Sequence, residues 1–251
     1  MTEEEKSLYV RIQDLARLSE TKNLTKYTAF LNEQEAFWAH RFLAGISTLE
    51  SRSLFFGGYG KAERVMLGFF ADYEEPCPEA FPVVPVTLIF RRQDIIQHKD
   101  VLGALMALRI KRESIGDILL EEGRAVVFLQ NTVLPVVLQE IEKVGSVGVR
   151  VREGAEEPLP DLHTFIPVSG TVSSMRLDSI TALATGLSRE KAAGLIRSGQ
   201  VLLNYTETDS LSAGVQAGDI LTVRRYGKFA VSGETGVTRK GRLHIVLNKY
   251  A

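Results

Sequence analysis

The chain has 251 residues, is 45% hydrophobic and 24% charged, and carries a net charge of −1; it is long enough for two or three compact cores of ordinary globular composition. No apolar run approaches the roughly 20 residues that span a membrane, and the acidic start MTEEEKSLYV lacks the apolar stretch of a secretory signal. A single cysteine, Cys77, excludes an intramolecular disulfide and a cysteine-cluster metal site, and fits a reducing cytoplasm.

In chain order, residues 1 to about 48 read as helical. Thr2 with Glu5 forms a capping-box pattern ahead of Leu8, Ile12, Leu15 and Leu18 at helical spacing. Asn32 with Glu35 repeats the pattern, and Gly45 suits a helix stop. Phe37, Trp38 and Phe42 read as part of a small helical core. FFGGYGKAERVMLGFF (55–70) lacks the Gly-x-x-x-x-Gly-Lys-Ser/Thr order of a phosphate loop and reads as a turn feeding a strand at 65–70. EEPCPEAFPVVP, with four prolines, is an extended connector.

Strands are expected at 85–92, 114–123, 124–130 and 147–153, and helices at 99–110 and 132–144. That is β-α-β-β-α-β, the ferredoxin-like order. RNA-recognition motifs share it and stack bases on aromatics of the central strands. Only Phe90 and Phe128 are available here, with no Lys/Arg-Gly-Phe-Gly-Phe string, so this domain reads as a scaffold or protein-contact unit. EGAEEPLPD (153–161) reads as an acidic linker.

The last third is a basic module. Residues 171–251 hold 11 Lys and Arg against 6 Asp and Glu, a net of +5, which leaves −6 for the rest. Such asymmetry is the electrostatic footprint of nucleic-acid binding. A helix is expected from Arg176 to Thr185, closed by Gly186, and a second begins after the N-cap Ser188 and closes at Gly199. VLLN (201–204) and ILTVRR (220–225) are strands, the latter preceded by a Gly218-Asp219 turn. Arg189 and Arg197 flank the second helix, whose N-terminal amides suit an anion, and guanidinium forks hold phosphate bidentately. Arg224, Arg225 and Lys228 follow the returning strand, and Arg239, Lys240 and Arg242 add charge. Counterion release from several phosphates would drive binding.

Arg-Leu-Asp, then Ser-Arg-x-x-Ala-x-x-x-Ile-x-x-Gly-x-Val-x-x-Asn, then Gly-Asp-x-Leu-x-Val-Arg over about 174–228 resembles the S4 RNA-binding domain. The resemblance implies RNA contacts from Arg176, Ser188, Arg189, Lys191, Arg197, Asn204 and Arg224. Asn204-Tyr205-Thr206 departs from it, since the S4 family usually turns there through a glycine. The wider arrangement, with HKDVLGALMAL (98–108), KRESIGDI (111–118) and a C-terminal TRKGRLHIVLNKY, resembles the YlmH family of bacteria over nearly the whole chain. This implies an α+β protein with a helical N-terminal region (1–50), a ferredoxin-like, RRM-like central domain (51–165) and a C-terminal S4 (alpha-L) domain (172–251). It also implies a non-catalytic, ribosome-associated RNA binder. Its partners would be 23S rRNA or tRNA on the large ribosomal subunit, with peptidyl-tRNA during rescue of stalled complexes, and no DNA. The family's genes lie among cell-division genes.

Two alternatives stand beside this reading: an RNA-modifying enzyme and a cell-division-linked adaptor. Arg-Leu-Asp also surrounds the catalytic aspartate of some pseudouridine synthases, but here the string opens the S4 helix itself, which makes Asp178 a structural partner to a helix end or a neighbouring Arg. His40, His98, His163 and His244 are scattered without ligand spacing, and no catalytic residue, metal or cofactor is assigned.

Overall fold

The structure is a computed structural model that describes residues 2–239 and 241–251. The chain divides into two compact units, Met1–Leu162 and His163–Ala251, and both mix helices with antiparallel sheets. Among the described residues no helix is long and apolar enough to cross a membrane.

The first unit opens with α1 (Glu3–Lys22), β1 (Lys26–Tyr27), α2 (Glu33–Leu43), α3 (Ser47–Glu50), β2 (Ser53–Phe56) and β3 (Met66–Phe69). Thr2 Oγ1 accepts the Glu5 amide at 3.1 Å, but the Glu5 carboxylate turns away to Tyr9 and Arg41, so only half of the expected box forms. At Asn32 and Glu35 both halves are present. Leu8, Ile12 and Ala16 of α1 meet Trp38, Ala39 and Leu43 of α2 and Leu67 and Phe69 of β3 in one core, against which Phe37 and Phe42 pack. Strand β1 pairs with β3, in the order β1-β3-β2. The region 1–50 is therefore not wholly helical, and its short strand joins the segment beyond residue 50. Gly45 does not adopt the left-handed stop; α2 ends through Ala44 in a right-handed turn.

The rest of this unit is β4 (Val83–Ile89), α4 (His98–Ala107), β5 (Ile115–Glu121), β6 (Arg124–Gln130), α5 (Leu134–Glu140), a two-residue ladder of β7 (Lys143–Val144) with β8 (Val147–Gly148), and β9 (Arg150–Glu153). The β-α-β-β-α-β order is present, and the antiparallel sheet runs β5-β6-β4-β9. The Val/Ile/Leu-rich strands bury Val86, Leu88, Ile118 and Val127 against Val101 and Leu105 of α4 and Val137 of α5. The helix expected over 132–144 stops at Glu140 because Ile141 and Val144 are drawn into the core as extended chain. The strand expected at 147–153 is shortened to match. On the other sheet face Leu119, Val126 and Phe128 are covered by Tyr59, Ala155, Leu159 and Leu162. The stretch 153–161, read as a linker, is thus packed onto the sheet.

The second unit is β10 (Phe165–Val172), α6 (Leu177–Thr185), α7 (Arg189–Arg197), β11 (Val201–Leu203), β12 (Thr206–Glu207), β13 (Ile220–Val223), β14 (Gly227–Val237) and β15 (Leu243–Tyr250). The six strands are ordered β10-β15-β14-β13-β11-β12. Alternate residues Leu221, Val223, Phe229, Val231, Ile245 and Leu247 face Leu177, Ile180 and Ile196 of the two helices. The sheet reaches back to Phe165, ahead of the expected start at 172, because β10 pairs along its whole length with β15. Gly186 (φ 69°) and Gly199 (φ 66°) take the left-handed turns that close α6 and α7.

Candidate nucleic-acid interface

The Arg-Leu-Asp start of α6 folds into a charge clamp. Asp178 is 4% exposed. Its carboxylate receives Arg176 Nε at 3.2 Å and Nη2 at 3.3 Å, Arg189 Nε at 2.9 Å and Nη2 at 2.8 Å, and Ser179 Oγ at 3.4 Å. Burial alone would raise its pKa. The hydrogen bonds from Arg176 and then Arg189, with their charges, outweigh that and hold it below the usual carboxylate range. Asp178 thus ties the first residue of α7 to the first turn of α6, as the structural partner expected from sequence. The two guanidiniums stay near the surface, with side chains 41% and 53% exposed. One carboxylate against two cations leaves the trio at a net +1.

The other expected residues fall into distinct roles. Ser188 caps α7, its Oγ accepting the Lys191 amide at 3.4 Å. Asn204 and Tyr205, both left-handed (φ 49° and 62°), make the turn that lacks a glycine. Asn204 Nδ2 donates to Asp219 at 2.8 Å and its Oδ1 accepts the Ile220 amide at 2.9 Å, so this side chain braces β11 against the Gly218-Asp219 turn. Arg242 donates to Thr171 through Nε at 3.2 Å and through Nη2 to the carbonyl at 2.7 Å. It lines one groove with Arg189, Ser173, Ser179 and Leu187. Arg224 N donates to Gln200 O at 2.9 Å, which puts the Arg224-Arg225 turn beside the C-terminal end of α7, where Arg197 lies. Lys228 Nζ lies 4.2 Å from the ring centre of Tyr250 and 5.8 Å from that of Tyr205. Lys191, Arg197, Arg224, Arg225 and Arg239 are exposed, and among the described residues their side chains make no hydrogen bond or ion pair. Lys240 lies outside the described residues.

The cations therefore form two groups rather than one stripe: Arg176, Arg189 and Arg242 around the start of α7, and Arg197, Arg224 and Arg225 at its end. Eight residues of helix set Arg189 and Arg197 about 12 Å apart along the axis. The clamp was foreseeable from Arg-Leu-Asp; the Asn204–Asp219 brace and the Arg242–Thr171 contact were not, since both join residues distant in sequence.

In the first unit neither aromatic available for stacking is free. Phe128 is 1% exposed, with Tyr59 stacked on it at 4.7 Å, and Phe90 is 9% exposed on the helix side of the sheet. The Tyr59 loop is held by Asp117, a buried carboxylate that accepts the Tyr59 hydroxyl at 2.9 Å and the amides of Glu63 at 2.8 Å and Arg64 at 3.1 Å. Gly58 lets this loop approach so closely that a Cβ there would stand 2.2 Å from the Phe128 ring.

Residues 89–157 match the family model described as the putative RNA-binding domain in YlmH. The chain is 26% identical over 237 residues to the ribosome-associated protein quality control protein P2 of Bacillus subtilis (strain 168), covering 93% of this chain and 90% of that protein. It also resembles the solved structure of the cell division protein ylmH from Streptococcus pneumoniae, with a TM-score of 0.52 and 18% identity over 62% of this chain and 93% of that one, a likeness of fold. The domain model and the full-length relative thereby show the resemblance to the YlmH family that the sequence carries.

Proposed function

We propose that this protein is a cytoplasmic, non-catalytic RNA-binding protein that grips structured RNA through its second unit, read as an S4 domain, and that it works on the large ribosomal subunit with peptidyl-tRNA in ribosome rescue or quality control. The first unit, in this reading, combines a helical N-terminal part with a ferredoxin-like domain that contributes a further RNA contact. The observation that carries the proposal is the pair of arginine groups at the two ends of α7, one pinned by a buried aspartate and the other free of protein partners among the described residues. Preset guanidiniums lose little freedom on meeting a phosphate, and free ones release counterions. The B. subtilis relative, by its name a ribosome-associated quality control protein, supports the choice of RNA. The closed outer face over Phe128, and the burial of Phe90 on the helix side of the sheet, argue against base stacking on either ring, so contacts to phosphates and shape are favoured.

The test is co-sedimentation with ribosomal subunits across a salt series, comparing the unaltered protein with Arg197→Glu/Arg224→Glu. Arg189 is left intact because its loss would also disturb the clamp. The unaltered protein should travel with the large subunit and the variant should remain at the top. If both remain at the top, with and without peptidyl-tRNA on the subunits, the ribosome reading fails.

A further inference from the structure

Outside the second unit, two half-buried arginines of the first, Arg64 and Arg112, meet with no role assigned to them. Arg64, at the end of the Tyr59 loop, donates through Nε to Ile115 O at 2.9 Å and through Nη2 to Arg112 O at 3.3 Å and Phe30 O at 3.5 Å. Arg112, just ahead of β5, donates through Nη1 to the same Ile115 O at 2.6 Å and to Gly116 O at 3.4 Å. Two guanidiniums therefore share one carbonyl oxygen. Among the described residues neither has a carboxylate within ion-pair distance. Arg64 Nη1 and Arg112 Nε and Nη2 have no acceptor there.

Carbonyl dipoles orient these cations but do not neutralise them. Asp117 attracts both from a distance, and Glu35 and Glu33 attract Arg64. Those attractions do not win. Burial, then the like charge of Arg112, push Arg64 down to about 10, and burial lowers Arg112 as well. Both remain charged at neutral pH. His98, the first residue of α4, lies within electrostatic reach of both, and its imidazole is held low by burial and then by Arg112. An oxyanion with two free oxygens is the ligand that such a pair lacks: it would use the spare N–H groups and lessen the like-charge repulsion.

We propose that Arg64 and Arg112 form a phosphate-binding site in the first unit, its unused N–H groups directed to the non-bridging oxygens of one phosphate, which on the RNA-binding reading above is a backbone phosphate of RNA. The site uses no base and no open sheet face. It supplies a positioning contact without sequence preference.

The decisive measurement is the arginine side-chain Nε–H spectrum of the full chain, titrated with inorganic phosphate against chloride at matched ionic strength. The two resonances are identified with Arg64→Lys and Arg112→Lys. Both should shift saturably with phosphate and not with chloride, and Arg112→Gln should abolish the response of Arg64. Equal responses to phosphate and chloride overturn the site. The source of the phosphate is decided by filter binding of 23S rRNA over a potassium chloride series. Arg112→Gln should weaken binding several-fold and flatten the salt slope by about 0.7–0.9, the value for one lost phosphate contact. An unchanged slope beside a retained phosphate response overturns RNA as the occupant. If the unaltered protein does not bind RNA while phosphate still saturates the arginines, the RNA reading falls and the phosphate site stands.

Discussion

At the scale of single residues, the second unit depends on one carboxylate. Asp178→Asn removes the charge that holds Arg176 and Arg189. Because both arginines can be hydrated when released, the cost should lie near 1–2 kcal/mol, below the 3–5 kcal/mol of a fully buried pair; urea unfolding measures it. The folded pKa of Asp178 is depressed. Its contribution is therefore complete above the unfolded value, about 4, and is lost as pH falls through the lower folded value. Asp178→Asn should remove that part of the acid limb while leaving stability between pH 6 and 8 parallel to that of the unaltered protein. In the first unit Tyr59→Phe leaves Asp117 one hydrogen bond short and should cost about 1–2 kcal/mol. The Tyr59 hydroxyl is pushed up by burial and by the Asp117 charge. Stability from that group is present below the unfolded value, about 10, and is lost as pH rises beyond it. Tyr59→Phe should therefore resist alkaline loosening better than its neutral-pH stability suggests.

At the scale of elements, the turn between β11 and β12 shows how a polar side chain replaces a glycine. Asn tolerates the left-handed conformation better than most residues, and here it also supplies two hydrogen bonds to the neighbouring turn. Asn204→Ala loses both the conformational tolerance and the brace and should cost about 2 kcal/mol; Asn204→Gly keeps the tolerance and should cost about half of that. Thermal melts of the two variants, side by side, separate the contributions. If Gly is as damaging as Ala, the brace carries the whole effect. Gly186 and Gly199 act as helix stops because each takes the left-handed conformation that glycine adopts without strain (φ 69° and 66°). Gly45 misled because α2 closes through Ala44 in a right-handed turn, and Gly45 does not take the left-handed conformation.

At the scale of the whole molecule, each unit has its own apolar core. A fragment of residues 163–251 should fold cooperatively with the β10–β15 pairing intact, since the core from Leu177 to Leu247 lies within it. A fragment starting at 172 would lose β10 and expose the edge of β15, so it should melt lower or aggregate. Circular dichroism melts of both fragments check this. The charge asymmetry along the chain gives this unit its net positive charge, and the ribosome co-sedimentation test above belongs to it.

What the sequence determined by itself is local. Helical spacing, caps and glycine stops set out α1, α2, α6 and α7, and the β-α-β-β-α-β order followed from apolar runs with turns between them. The Ser-Arg and Arg-Leu-Asp strings mark the candidate interface. These features are legible because they arise within about four residues of one another, where backbone geometry leaves few options. Only the tertiary structure decided the rest. It decided that β1 joins the sheet beyond residue 50, that 153–161 and Tyr59 close the outer face over Phe128, and that β10, β14 and β15 build a six-stranded sheet. It also decided that the basic residues split between the two ends of α7 and that Arg64 meets Arg112 over one carbonyl. Each of these joins residues tens of positions apart. Which distant partners meet is set by how the cores pack, and no periodicity in the chain encodes that.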